Sequence, residues 1–449
     1  GGWAVVAETY YKGAGRSDDD ILGPVRRPAE LVCDTLHTLG PAELNVAATK
    51  NFRATLESLA ISLRAEPDQI WIRAVGETFL APFGLYDASK PAGFTWDAAS
   101  ACDLYTRNPE APTCLLARYG AAHPYPLIHA TLNAPDVGPA VGQKVGFEFT
   151  PLYCGSPTLK KFESNNESVL VGGGYVESMA FGSRLTQPSD DAYDGCTAVE
   201  LRAPFTLADA VGASSASSTP HRDPMLYPHA WCWPLPTGVG SATRYRFTDG
   251  GDLENFGLIS LLRRRVTKIV VFVNTLWPLS SCFDFQADWP DESSPTSRVI
   301  DPFLAPLFGA PSERFAHNAV FPEADFCRLV TGLKDKKHAG ESVMTTMRHR
   351  VQDNEWWGLS GGWDVEICWV YNERVVGWEN QLPTGTREEL ERGAGSTPSG
   401  RFKRFPHYLT QGQNVGALIR LTPEQINLLS HLSCWNVMAN GDELRSVLV

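Results

Sequence analysis

The chain has 449 residues, 43% of them hydrophobic and 20% charged, with 39 Gly, 32 Pro and 13 Trp. That composition excludes a coiled coil, a collagen-like fibre and a wholly disordered chain. Its 51 Asp and Glu outnumber its 39 Lys and Arg, for a formal charge of −12, which repels phosphate backbones and excludes nucleic acid as an expected partner.

No apolar run reaches the about 18 residues that a membrane-spanning helix needs. The first residues, Gly1-Gly2-Trp3-Ala4-Val5-Val6, lack a Met and a basic n-region, and read as neither an intact signal peptide nor a natural translation start. Residues 3–12 have the small and apolar character of a buried helix, and residues 13–20 read as a Gly- and Asp-rich turn. From 42 to 79 apolar residues return at three- and four-residue steps, which predicts helix. Residues 84–120 are irregular, punctuated by Pro, Asp and Asn. Residues 126–132 and 146–150 then read as strands.

Residues 187–195 read as a polar loop and 201–211 as a helix. A run of small residues, Ser214 to Ser218, opens a loop through Pro236. A strand at 244–248, the turn Asp249-Gly250-Gly251-Asp252, a helix at 258–265 and an apolar strand at 269–273 together predict a βαβ unit with parallel strands. The run Arg263-Arg264-Arg265 reads as the solvated end of that helix. Residues 277–332 are rich in Pro and Phe, with little periodicity. A strand is predicted at 365–376, a polar loop at 383–400, and one or two helices at 423–448.

The ten cysteines form no CxxC pair, and the ten histidines form no HExxH. Thiols in a reducing compartment are expected, and no metal. Asp249-Gly250-Gly251 is the sharpest chemical feature. An acidic residue at the end of a strand, before two glycines, lies where open α/β sheets place their sites. The competing reading is an Asp-Gly turn that only reverses the chain. Gly358-Leu359-Ser360-Gly361-Gly362 matches GxSxG, but a nucleophile elbow needs a strand before the serine and a helix after it. A polar stretch precedes Ser360 and a strand pattern follows it, so Ser360 reads as a turn residue. Ser183, Ser214 and Ser215 read as packing and turn residues. His317, His338, His349, His407 and His431 read as structural. The aromatic segments 276–279, 303–308 and 356–357 read as core or as a rim that meets lipid.

The string from Asp249 to Leu258, with the helix and strand after it, resembles the aspartate motif of patatin-like acyl hydrolases, and most closely that of the cytosolic phospholipase A2 catalytic domain. Phe147-Glu148-Phe149-Thr150-Pro151, Gly173-Gly174-Tyr175-Val176, Leu207-Ala208-Asp209-Ala210 and residues 402–449 are similar to further segments of that family, in its order. The resemblance implies a single α/β domain over 1–449: a three-layer sandwich with a largely parallel central sheet and cap insertions at 84–120 and 277–345.

It also implies a serine acyl hydrolase of the phospholipase A2 or lysophospholipase type. A serine attacks the ester carbonyl, Asp249 is its base, Gly250 and Gly251 shape the supporting turn, and no cofactor takes part. Gly1-Gly2-Trp3, followed by a helix pattern, is what comes after the nucleophile in Gly-x-Ser-Gly-Gly-Trp. The serine and its Gly-rich oxyanion loop are therefore expected just ahead of Gly1 or on a partner chain, with the Gly1 N–H as an oxyanion donor beside Gly2. The implied partners are a phospholipid or other acyl-ester lipid and, transiently, a membrane surface, in a cytoplasmic or peripheral membrane setting. The alternative is a non-catalytic relative that serves as a structural or lipid-binding subunit.

Overall fold

A computed structural model describes residues 2–11, 15–39, 43–62, 66–109, 114–118, 124–135, 138–164, 167–185, 199–200, 203–217, 227–232, 243–290, 299–394, 397–408 and 420–448. In chain order its elements are α1 (Gly2–Tyr11), α2 (Asp18–Leu22), α3 (Glu43–Thr49), α4 (Phe52–Ser62), α5 (Ile70–Val75), β1 (Gly93–Asp97), α6 (Ala98–Arg107), β2 (Leu115–Arg118) and β3 (Ile128–Asn133). Then come β4 (Lys144–Phe149), β5 (Tyr153–Ser164), β6 (Glu167–Glu177), β7 (Arg184–Leu185), β8 (Val199–Glu200), α7 (Leu207–Ser214), β9 (His229–Cys232) and β10 (Thr243–Asp249). The remainder are α8 (Leu258–Arg263), β11 (Lys268–Val273), α9 (Glu323–Ala339), β12 (Met344–Arg350), β13 (Asp364–Tyr371), α10 (Val376–Glu379), α11 (Thr384–Ala394), α12 (Pro423–Ala439) and α13 (Gly441–Leu448). The chain is mixed α/β. It folds into two compact units, one drawn from Gly1–Ile21 and Lys50–Leu253, the other from Leu22–Thr49, Glu254–Gln413 and Ile419–Val449. None of the described helices is long and apolar enough to cross a membrane.

The first unit is built on a six-stranded sheet in the order β6-β5-β4-β3-β10-β9. Every neighbouring pair in it is antiparallel, which corrects the expected parallel sheet. Antiparallel neighbours need only short connections, as between β3 and β4 and between β5 and β6. Register follows the two-residue period of the side chains. Phe147 and Phe149 of β4 share one face, and their rings meet those of Phe247, Phe181 and Phe205 at centroid distances of 5.0 to 5.6 Å. All five rings are buried and form the core of this unit. The β5–β6 hairpin carries a register shift between Ser156 and Leu159. Gly172 faces that bulge at φ 80°, where a Cβ would lie 2.6 Å from the Thr158 carbonyl oxygen.

The expected βαβ unit does not form. Strand β10 pairs on both sides with antiparallel neighbours, whereas β11 pairs with β13 in the second unit. The parallel pair joined by a helix is instead β1-α6-β2, inside the stretch expected to be an irregular insertion at 84–120. Asp97 starts α6 by accepting the Ser100 N–H at 2.8 Å. Helix α7 begins at Leu207 rather than at 201, because Thr206 and Asp209 close a capping box there. Expectations for residues 1, 12–14, 42, 63–65, 110–113, 119–120, 187–195, 201–202, 218–226, 233–236, 291–298, 395–396, 409–419 and 449 fall outside the described residues.

In the second unit β11 runs parallel to β13, and β12 antiparallel to it. Helix α9 occupies part of the expected cap at 277–345 and buries Phe326, Leu329, Val330 and Leu333. Helix α11 replaces the expected loop at 383–400. Its Thr386 hydroxyl donates to the Leu31 carbonyl at 2.7 Å and accepts the Cys33 N–H at 2.9 Å. Leu279, Leu304, Leu307, Phe308 and Trp357 are buried, so the aromatic segments mostly feed the core. Arg263 ends α8, and the Arg264 guanidinium donates to the Ser260 carbonyl at 2.9 Å, as a solvated helix end does.

A buried carboxylate ties several segments of this unit together. Glu373 Oε2 accepts Lys337 Nζ at 2.7 Å and the Leu279 N–H at 2.9 Å, and Oε1 lies 3.3 Å from His407 Nε2. Burial by itself raises this carboxyl, but His407 and Lys337 outweigh it and hold it down at about 2. The ionised form therefore stabilises the fold above the unfolded carboxyl range near ~4.3, and that contribution is lost as the pH falls through about 2.

Two outcomes are expected from denaturation measurements. Phe149→Ala lowers the unfolding free energy by about 3–5 kcal/mol in urea; a loss below about 1 kcal/mol would mean that the five rings are not the core. Glu373→Gln removes about 3 kcal/mol of the acid-limb stability slope between pH 5 and 2. An unchanged slope would show that the carboxylate is not held ionised.

Candidate active site

The register of the first unit places Asp249 opposite Ala130, which in turn stands opposite Phe147. Residues opposite one another share a face, so the half-buried Asp249 side chain projects on the aromatic side of the sheet. Hydrogen bonds at its amide, carbonyl and carboxylate hold the residue. Its N–H donates to the Ala216 carbonyl at 2.9 Å, and its carbonyl accepts the Thr131 hydroxyl at 2.9 Å. Its carboxylate Oδ1 accepts the Gly251 N–H at 2.7 Å.

The turn after it is a short 3-10 helix over Gly250–Asp252, closed by the Leu253 N–H on the Gly250 carbonyl at 3.0 Å. Gly250 is buried, and a Cβ there would lie 2.8 Å from the His129 carbonyl oxygen and 2.9 Å from its Nδ1. No side chain fits that gap. The same His129 carbonyl accepts the Ser214 hydroxyl at 2.6 Å, so the end of α7 is fastened to β3 beside the turn. Asp252 is buried and pairs with Lys144 at 3.3 Å. A carboxylate oriented by a backbone N–H can take a proton from a hydroxyl brought against it.

Gly2 opens α1, which packs against α7, the helix that supports Asp249. Gly1 lies outside the described residues. Ser360 belongs to the second unit and is exposed on a turn. The Gly361 N–H donates to Asp353 Oδ1 at 2.9 Å, the Trp363 indole to the Ser360 carbonyl at 2.8 Å, and β13 begins at Asp364. A strand rather than a helix follows the serine, so its surroundings are those of a turn, not of a nucleophile elbow. Ser183 donates to the Ala180 carbonyl, and Ser215 to the Gly212 carbonyl at 3.3 Å.

Among the histidines of the second unit, His349 most resembles a catalytic one. Its Nδ1 lies 2.8 Å from Asp325 Oδ2, but its Nε2 accepts the Trp369 indole N–H at 3.0 Å. That lone pair is engaged, and burial lowers the imidazole's pKa. His317 stacks on Trp356 at 4.0 Å, and His431 Nδ1 bonds the Asn427 carbonyl at 2.7 Å. No group of three or more His, Cys, Asp or Glu among the described residues is arranged to hold a metal.

Two residues around the turn, His129 and Thr131, escape the sequence reading as site residues and read only as parts of a strand, whereas Ser214 reads as a packing and turn residue close to the site. What makes them neighbours is the pairing of β3 with β10. No family model matches the chain, and no curated protein or solved structure does either.

The tight turn yields a direct test. Gly250→Ala forces the turn away from His129 and costs about 1–3 kcal/mol of stability, whereas Gly257→Ala, at φ 67° with open space around it, costs about 1 kcal/mol from backbone strain alone. Equal costs, compared by thermal unfolding of the two variants, would show that the close approach at Gly250 is absent.

Proposed function

We propose that this chain is a lipid acyl hydrolase of the patatin-like, cytosolic phospholipase A2 type, with Asp249 as the base of a Ser-Asp dyad. The single observation that carries the reading is the anchoring of Asp249. It ends a strand, its amide, carbonyl and carboxylate each hold a hydrogen bond, and the next residue is pressed so closely on β3 that only glycine fits. A turn that merely reversed a chain would not need that closeness. The support lies in the turn and not in the sheet, whose strands run antiparallel.

In this reading the Asp249 carboxylate takes the hydroxyl proton of the serine as its Oγ bonds to the ester carbonyl carbon. The ester C–O bond breaks, the alcohol leaves with that proton, and water then releases the acid from the acyl-serine. The resemblance implies a serine in a Gly-x-Ser elbow, with backbone N–H groups beside it for the oxyanion. The acidic balance of the chain favours zwitterionic or neutral lipid over anionic surfaces.

Fluorophosphonate labelling of the protein from its natural source, with the labelled peptide sequenced, tests the reading. Label is expected on a serine directly preceding Gly-Gly-Trp-Ala-Val. Asp249→Asn, which keeps an oxygen for the Gly251 N–H, is expected to lower ester hydrolysis by about 10²–10⁴-fold without unfolding the protein. Label on Ser360 would overturn the assignment of Asp249. No label on folded protein would make the chain a non-catalytic, lipid-binding relative.

A further inference from the structure

The first unit holds a cavity of about 330 Å³ between α6, the turn from β4 to β5 and the end of β6, and its described lining does not include Asp249. Its size is that of a small-molecule site. Leu104 of α6, Pro151 and Leu152 of the turn and Met179 after β6 give it apolar walls. Thr95 of β1 belongs to the same lining and is fully buried. The alternation along β1 that turns the Phe94 ring to Tyr10 and Phe205 turns the Thr95 side chain to the opposite face.

The Thr95 hydroxyl has no hydrogen-bond partner among the described residues, although the Thr95 carbonyl accepts the Tyr10 hydroxyl at 2.9 Å. A buried hydroxyl left unsatisfied costs free energy, which a ligand group that restores the bond recovers. The serine hydroxyls of the lining are engaged: Ser178 donates to the Thr150 carbonyl at 2.6 Å and Ser100 to Asp97 Oδ1 at 2.7 Å. At the exposed rim Arg107 joins α6 to β6. Its Nε donates to Asp103 Oδ2 at 3.0 Å, and its two Nη atoms donate to Glu177 at 3.0 and 2.6 Å. The charged side chains of the described lining, Asp103, Arg107 and Glu177, are thus bonded to one another.

We propose that this cavity binds a compact uncharged molecule of the phenol class, with the ligand hydroxyl against Thr95 and the ring among Leu104, Leu152 and Met179. A threonine hydroxyl both donates and accepts, so a ligand hydroxyl meets it in either sense. The Met179 thioether suits an aromatic ring, since sulfur makes favourable contacts at a ring edge. An ion would leave water for walls whose own charges are already paired, which disfavours anions and cations alike. The inference does not rest on hydrolysis at Asp249.

Calorimetric titration of the full chain with phenol, toluene, benzoate and benzylamine tests it. Phenol is expected to bind saturably, toluene at least about tenfold more weakly for want of the hydroxyl, and the two charged analogues more weakly still. Thr95→Val keeps the shape of the side chain and removes its hydroxyl. The variant is expected to bind phenol no better than toluene and to leave toluene unchanged. Its midpoint of thermal unfolding, measured without ligand, is expected to rise, because an unsatisfied buried group is gone. A lowered midpoint would show that the hydroxyl has a partner in the folded chain, and overturns the proposal. So does the absence of saturable phenol binding, toluene or a charged analogue binding as tightly as phenol, or full phenol affinity in Thr95→Val. Asp249→Asn leaves phenol binding intact, which separates the failure of this proposal from that of the hydrolase reading.

Discussion

The His129 carbonyl oxygen is the point from which the candidate site is built. It accepts the Ser214 hydroxyl from the end of α7, and it leaves no room for a side chain on Gly250. Strand β3, the end of α7 and the turn after β10 are thus gathered around one backbone acceptor. Two further bonds on Asp249, to Ala216 and from Thr131, keep the strand end from fraying. A carboxylate held by its own backbone and by the Gly251 N–H would need little reorganisation in the proton transfer proposed for Asp249.

In the second unit two buried acids are paired locally: Glu373 with Lys337 and His407, and Asp325 with His349, whose ring accepts the Trp369 indole N–H. Such groups stabilise a fold because unpaired burial is costly. In the first unit Asp68, paired with Arg244, and Asp209, held by the Thr206 N–H and hydroxyl, line one cavity. The aromatic face connects that cavity with Asp249, since Phe247 lines the one and stands two residues before the other on β10.

Much of the fold was legible where apolar spacing is regular. Helices α1, α8, α12 and α13 and strands β3, β4, β10, β11 and β13 all lie where periodicity and turn residues put them. Helix α9 had a signal in Phe326, Leu329, Val330 and Leu333, masked by the Pro- and Phe-rich stretch before it. Helix α11 had almost none. Its buried side comes down to Thr386, Leu390 and Gly393, and Thr386 is held by Leu31 and Cys33, more than 350 residues away.

The sequence by itself determined the local chemistry. It marked Asp249 at a strand end before two glycines, and it marked Ser360 as a turn residue despite its GxSxG spelling, because both depend on neighbours within a few positions. Tertiary structure decided what those positions face. The strand-helix-strand string around Asp249 is compatible with parallel pairing, and only the sheet shows β10 between β3 and β9, with β11 paired elsewhere. Likewise His129, Ser214 and the cavity lining from Asp68 to Arg244 carry no motif. They meet because strand register and helix packing are set by burial of apolar faces over the whole unit, and a local pattern does not encode which faces meet.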